Sequence, residues 1–245
     1  MTNDDENITP FPGDRERRGR MRLKPANDGP PPEPMFNLPP VVKGLSLAVM
    51  VVFLLQQVLP YLVGADLTDA LEYAFAFVPA RYSGDLPFGF PAIVAPVTHL
   101  FLHGGWLHIG VNLLSLIAFG AGLEKFLGGK KMLMIYFGSG LCGALAQFMA
   151  GPHIESPVIG ASGAISGVFG ALLIQMYDRG YMNSGGSGPG GLKKILPFIL
   201  IWIVAAVIFG QFGIPGSNAL IAWVTHIGGF LGGIILCRPV ARMKI

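Results

Sequence analysis

The chain has 245 residues, 52% of them hydrophobic and 13% charged, with a formal net charge of +3. A soluble domain carries about 25% charged residues, so the composition excludes an ordinary water-soluble globule and points to a membrane protein. The two cysteines, Cys142 and Cys237, both fall in apolar runs, which excludes a disulfide framework and reads them as small buried hydrophobes.

Residues 1–40, MTNDDENITPFPGDRERRGRMRLKPANDGPPPEPMFNLPP, are charged and proline-rich and hold too little apolar surface to build a core. They read as a disordered basic cytoplasmic tail. No apolar signal-peptide core precedes residue 41. The run RERRGRMRLK reads as a topology-setting flank, with contact to anionic lipid as a second reading.

A helix needs roughly 20 mainly apolar residues to cross the hydrocarbon core. Six candidate spans follow the tail, at about 41–63, 95–119, 131–151, 161–177, 195–212 and 217–237, the fourth of them short. Between the first two lies ADLTDALEYAFAFVPARYSGDLPFGFPAIV, a connection long enough to be functional or interfacial. Its Phe, Tyr and Leu residues suit half-immersion at a membrane surface. The predicted architecture is an all-α bundle of six transmembrane helices over 41–238, with a short basic cytoplasmic C-terminus at 239–245.

The placement of Lys and Arg sets orientation. With the tail inside, every one of the 17 basic residues except Arg81 falls at or near an inner segment. Spans two, four and six then start outside. The second meets His103, His108 and Asn112, the fourth opens with Gly160, Ala161 and Ser162, and the sixth starts near Ser217 and reaches His226 about nine residues later. At 1.5 Å per residue that is a depth of roughly 13 Å. Three separate stretches thus bring hydroxyl, imidazole and amide groups to the outer half of the bilayer, where polar groups are costly unless they face each other or a cavity.

Two chemistries fit such a cluster. His99 and His103 are four apart, as are His108 and Asn112, so each pair could share a helix face. A zinc protease wants HExxH with a glutamate base, but Leu100, Phe101 and Leu102 separate the first pair and no carboxylate is near. No metal site is expected. Nucleophilic catalysis needs a serine and a base to deprotonate it. After Asp85 the only acids are Glu124, Glu155 and Asp178; the first and last belong to the inner face, and Glu155 is a weak candidate for a third member. This favours a Ser162–His226 dyad without a carboxylate.

The glycines explain how such a dyad could close. THIGGFLGG at 225–233 puts Gly229 and Gly233 on one face below His226, and span four offers Gly163, Gly167 and Gly170. Small residues let backbones approach in lipid. An oxyanion needs preorganised donors, for which His108, Asn112 and the Ser162 amide at a helix start are candidates.

These residues resemble those of the rhomboid family of intramembrane serine proteases, over roughly residues 41–238. GASG at 160–163 resembles the family's GxSG, with Ser162 as nucleophile. HGGWLHIGVN at 103–112 resembles HxxxxHxxxN and carries oxyanion roles onto His108 and Asn112, with His103 as the first motif histidine. THIGGFLGG resembles AHxxGxxxG, with His226 as base, and GAGLEKFLG at 120–128 resembles the structural GxxxExxxG around Glu124. Three positions depart from the family pattern. Val94 and Ala95 stand where many members carry Trp-Arg, which bears on how the first outer loop seats. Ser166 stands where an aromatic residue often supports the base, leaving Phe169 as a possible substitute, and Thr225 replaces the alanine before the base.

The resemblance implies hydrolysis of peptide bonds in or near transmembrane segments of other membrane proteins, through an acyl-enzyme and without cofactor. Partners are then transmembrane-helix substrates and the lipid bilayer, not nucleic acid. Compact length and six spans suggest a bacterial inner membrane with both termini in the cytoplasm. Two rivals stand beside this reading: an inactive relative that binds membrane clients, and a small transporter with a polar midplane site. No inverted repeat supports the latter.

Overall fold

Pro40 opens the first helix, α1 (Pro40–Val63), where a missing N–H costs nothing. The structure, a computed structural model, describes residues 38–181, 196–202, 204 and 223–245. The 1–40 tail lies outside these apart from its last three residues. So do most of the predicted span 195–212 and residues 217–222 of the last span, though residues 196–202 are helical.

After α1 the long connection folds into three short helices, α2 (Ala65–Phe75), α3 (Ala80–Ser83) and α4 (Phe90–Thr98). Side chains and one bridge seat it. Arg81 donates to the carbonyls of Tyr73 and Ala74, both at 2.9 Å, at the end of α2, where helix carbonyls lack partners. Thr98 Oγ1 donates to the Phe75 carbonyl at 2.7 Å. An isolated antiparallel bridge joins Phe77 to Val158. Val94 and Ala95 therefore leave the loop seated by other residues, and the one basic residue expected outside has a structural task.

The second span differs from the expected 95–119. It is α5 (Trp106–Leu127), and residues 99–105 before it are not helical. The apolar run FPAIVAPVT belongs to α4 and merges with the span in composition alone. Gly104 and Gly105 separate the two, with Gly105 at φ 149°, a backbone that disfavours other residues. His99 and His103 accordingly sit in the connection and share no helix face. Within α5, residues Leu116–Gly120 form a π-helical turn.

Besides the helical residues 196–202, the described residues hold α6 (Gly129–Ala150), α7 (Ser162–Asp178) and α8 (Trp223–Arg242). Helix α8 continues through Pro239 to Arg242 and buries Val240, five residues beyond the end at 237 expected for the last span. Among the described residues α1, α5, α6 and α8 are long and apolar enough to cross a membrane. Helix α7 has 17 residues and is buried on nearly every side, as expected of a helix enclosed by others.

Helices α6, α7 and α8 pack most closely. A Cβ on Gly229 or Gly233 would overlap the carbonyl of Gly163 or Gly167, and one on Gly170 would lie 2.8 Å from the Phe230 carbonyl. The seam between α7 and α8 is thus backbone against backbone. At the other end of the bundle, Arg238 grips Asp178 with two hydrogen bonds of 2.8 and 3.1 Å. There too, buried Glu124 accepts from the N–H groups of Val41 and Val42 at 3.1 and 2.8 Å. Its carboxylate caps the N-terminus of α1, where orphan donors and the helix dipole favour an anion.

Candidate active site

The Gly seam carries Ser162 and His226 into contact. Ser162 opens α7, His226 lies one turn into the described part of α8, and Ser162 Oγ stands 2.7 Å from His226 Nε2. For the hydroxyl to donate here, Nδ1 must hold the ring proton. Among the described residues no carboxylate meets His226 Nδ1. Glu155 is exposed, and its carbonyl accepts from Tyr73. The pair is a dyad.

Beside the dyad, Gly160 has φ 116°, and its N–H donates to the His99 carbonyl at 2.8 Å. A Cβ built on Gly160 would lie 2.8 Å from His108 Nε2 and 3.7 Å from Ser162 Oγ. The space left by the missing side chain therefore adjoins both groups at once. His108 Nδ1 accepts from Gly104 N–H at 3.3 Å, which leaves the proton on Nε2, aimed at that space. The Ser162 N–H, at the first position of α7, has no intrahelical acceptor. Asn112, buried one turn along from His108, donates one amide proton to the His108 carbonyl at 2.9 Å and keeps a second.

His99 and His103 hold this loop in shape. His99 is fully buried and donates from Nδ1 to the Ala95 carbonyl at 2.9 Å. His103 donates from Nδ1 to the Phe101 carbonyl at 3.1 Å, and its Nε2 accepts from Ala161 N–H at 3.5 Å. Its ring meets that of His108 edge-on, with centroids 5.1 Å apart.

Gln56 escaped the sequence reading. From α1 it binds both sides of the His103 backbone, accepting from the N–H at 3.0 Å and donating to the carbonyl at 3.4 Å. A glutamine in an apolar span is a signal that a polar partner exists, but not of which one. Ser166 also does more than fill space: fully buried, it donates to the Ser162 carbonyl at 2.7 Å. Phe169 packs its ring at a tilt against those of Phe119, Trp202 and Phe230, reaching α8 one turn below His226.

Comparison with known proteins agrees in kind. The Rhomboid domain family model matches residues 93–242. The chain is 29% identical over 148 residues to "Putative rhomboid protease YdcA" of Bacillus subtilis (strain 168), covering 60% of this chain and 67% of that protein. It is 35% identical over 148 residues to "Rhomboid protease GluP" of the same organism, covering 60% and 26%. It is 33% identical over 140 residues to "Rhomboid protease GlpG" of Salmonella choleraesuis (strain SC-B67), covering 57% and 45%. The chain thus spans less than half the length of the last two.

Proposed function

The chain belongs to the rhomboid family and is an integral membrane protein, and from that premise we propose that it is an intramembrane serine endopeptidase. It cleaves peptide bonds in or near transmembrane segments of other membrane proteins. The observation that carries this reading is the 2.7 Å Ser162–His226 contact beside the space that Gly160 leaves open.

His226 Nε2 takes the proton of Ser162 Oγ as the oxygen attacks the scissile carbonyl carbon. The oxyanion forms in the space beside Gly160, held by His108 Nε2–H, the Ser162 N–H and the free amide proton of Asn112. Donors fixed before the charge develops lower the barrier without reorganising. His226 then gives its proton to the leaving amine, and an acyl-enzyme remains. Water, deprotonated by the same imidazole, releases the second product. The imidazole is neutral when it takes each proton and is the imidazolium when it gives one up, and no cofactor enters.

An intact substrate helix buries its carbonyls in hydrogen bonds, so helix-breaking residues near the scissile bond favour cleavage. Both termini lie on the cytoplasmic side, since all basic residues but Arg81 cluster there under the positive-inside rule.

The test is labelling of the purified protein in detergent by a fluorophosphonate. Wild type should label, and Ser162→Ala and His226→Ala should not. A folded wild-type protein that resists labelling sinks the protease reading and favours the inactive client-binding one.

A further inference from the structure

Thr225 stands directly before His226, and its side chain is divided between two other helices. Its methyl faces two glycines: a Cβ on Gly143 of α6 would lie 2.9 Å from Thr225 Cγ2, and one on Gly163 of α7 would lie 2.8 Å from it. A Cβ on Gly143 would also lie 2.7 Å from the Thr225 carbonyl oxygen, so the peptide leading into His226 rests on bare α6 backbone. The Thr225 hydroxyl donates to Gln147 Oε1 at 3.3 Å, one turn along α6 from Gly143. Both Thr225 and Gln147 are buried.

These contacts bear on an angle. Glycine seams permit close approach, but they present no side chains to lock the rotation of one helix against another. Side chains reach about 5–6 Å from a helix axis. At that radius a rotation of about 10° carries an imidazole about 1 Å, and a misplacement of that size costs on the order of 100-fold in rate. Something on α8 must resist rotation at the level of His226. Apart from the Ser162–His226 bond whose geometry is to be held, the Thr225–Gln147 hydrogen bond is the directional contact found there among the described residues.

We propose that Thr225 is a positioning residue: its hydroxyl, through Gln147, sets the angle at which α8 presents His226 to Ser162, while its methyl wedges the three-helix seam. This rests on the serine-protease reading. It separates two roles within one side chain, which substitutions can pull apart. Thr225→Val keeps the wedge and removes the hydroxyl. Thr225→Ser keeps the hydroxyl and removes the wedge.

The experiment measures the rate of fluorophosphonate labelling at Ser162 and the melting temperature, on the full-length protein in detergent. The variants are Thr225→Val, Thr225→Ser, Gln147→Leu and the Thr225→Val/Gln147→Leu pair, with Ser162→Ala as the blank. Thr225→Val and Gln147→Leu should each label about 10-fold more slowly while folded at the assay temperature. The double variant should be no slower than either single one, because both remove the same bond. Thr225→Ser should melt lower yet label faster than Thr225→Val. Rates that simply follow melting temperature, or a Thr225→Val protein that labels like wild type, overturn the inference alone. Absence of labelling in folded wild type overturns the protease reading and this inference with it.

Discussion

The His108 imidazole borders the volume that a side chain on Gly160 would fill, with Nε2 2.8 Å from the missing Cβ. Gly160→Ala therefore places a methyl group against the imidazole, where the oxyanion is held in the proposed mechanism. It also forces alanine to φ 116°, a strain of about 1–3 kcal/mol. Labelling of Ser162 should fall by about 100-fold or more, beyond what the melting temperature explains. Labelling near the wild-type rate would remove His108 from the oxyanion site.

Glu124 is a stability residue. Glu124→Ala leaves the Val41 and Val42 N–H groups of α1 without their acceptor. Stranding buried donors costs about 1–3 kcal/mol each, so thermal unfolding in detergent should shift clearly downward. Glu124→Gln retains one oxygen and should shift it less. Below the transition, Ser162 labelling should match wild type, since Glu124 sits at the opposite end of the bundle.

Gln56 works at a distance from the dyad. Gln56→Leu frees both sides of the His103 backbone, at about 1 kcal/mol per bond lost, and loosens the loop whose ring nitrogen accepts from Ala161. Labelling should slow, and Gln56→Glu, which keeps the acceptor for His103 N–H, should fall between leucine and wild type. Equal rates in all three would show that α1 does not steady the site.

Asp85 reports on the loop before α4. Hydrogen bonds from Ser83, and then from His153 at 2.6 Å, hold its carboxyl below the usual aspartate value of 3.8. A group whose folded pKa is depressed adds stability above its unfolded pKa and loses it as pH falls through the folded value. Asp85→Asn should thus lower the melting temperature at neutral pH, and the difference should vanish well below the ordinary aspartate range. The shift should be small, since the pair is exposed. A difference that grows on acidification would contradict the assignment.

Much of the architecture was legible because it follows from local rules. The apolar run from 131 and the Gly-rich run from 161 mark α6 and α7 to within two residues at each end. The Gly229 and Gly233 spacing points to a close helix partner, and a hydroxyl and an imidazole each border that seam. The start of α5 was not legible, because α4 is as apolar as the span it precedes and, of the seven residues between them, only Gly104 and Gly105 break the pattern. Nor could the sequence name partners far along the chain. Glu124 meets residues 82 and 83 positions away, and Gln56 meets His103 across 47. Polar residues in apolar runs announce that a partner exists, and only the packed fold says which.

The π-helical turn in α5 has a consequence for how this chain tolerates length change. Asn112, Leu116, Gly120 and Glu124 recur every four residues, and all are buried. In an unbroken α-helix, with 3.6 residues per turn, such a series drifts by about 40° per step, or about 120° in all. The wider turn at Leu116–Gly120 takes back about 100° of this, so Asn112 and Glu124 face nearly the same way. Deleting one residue between 116 and 120 would leave an unbroken α-helix in which Asn112 and Glu124 stand eleven positions apart, still within about 20° of facing the same way. The half bearing His108 and Asn112 would keep its angle to the half bearing Glu124, whereas a one-residue deletion elsewhere between 112 and 124 would turn them by about 100°, and the chain could then keep one of those anchorages or the other.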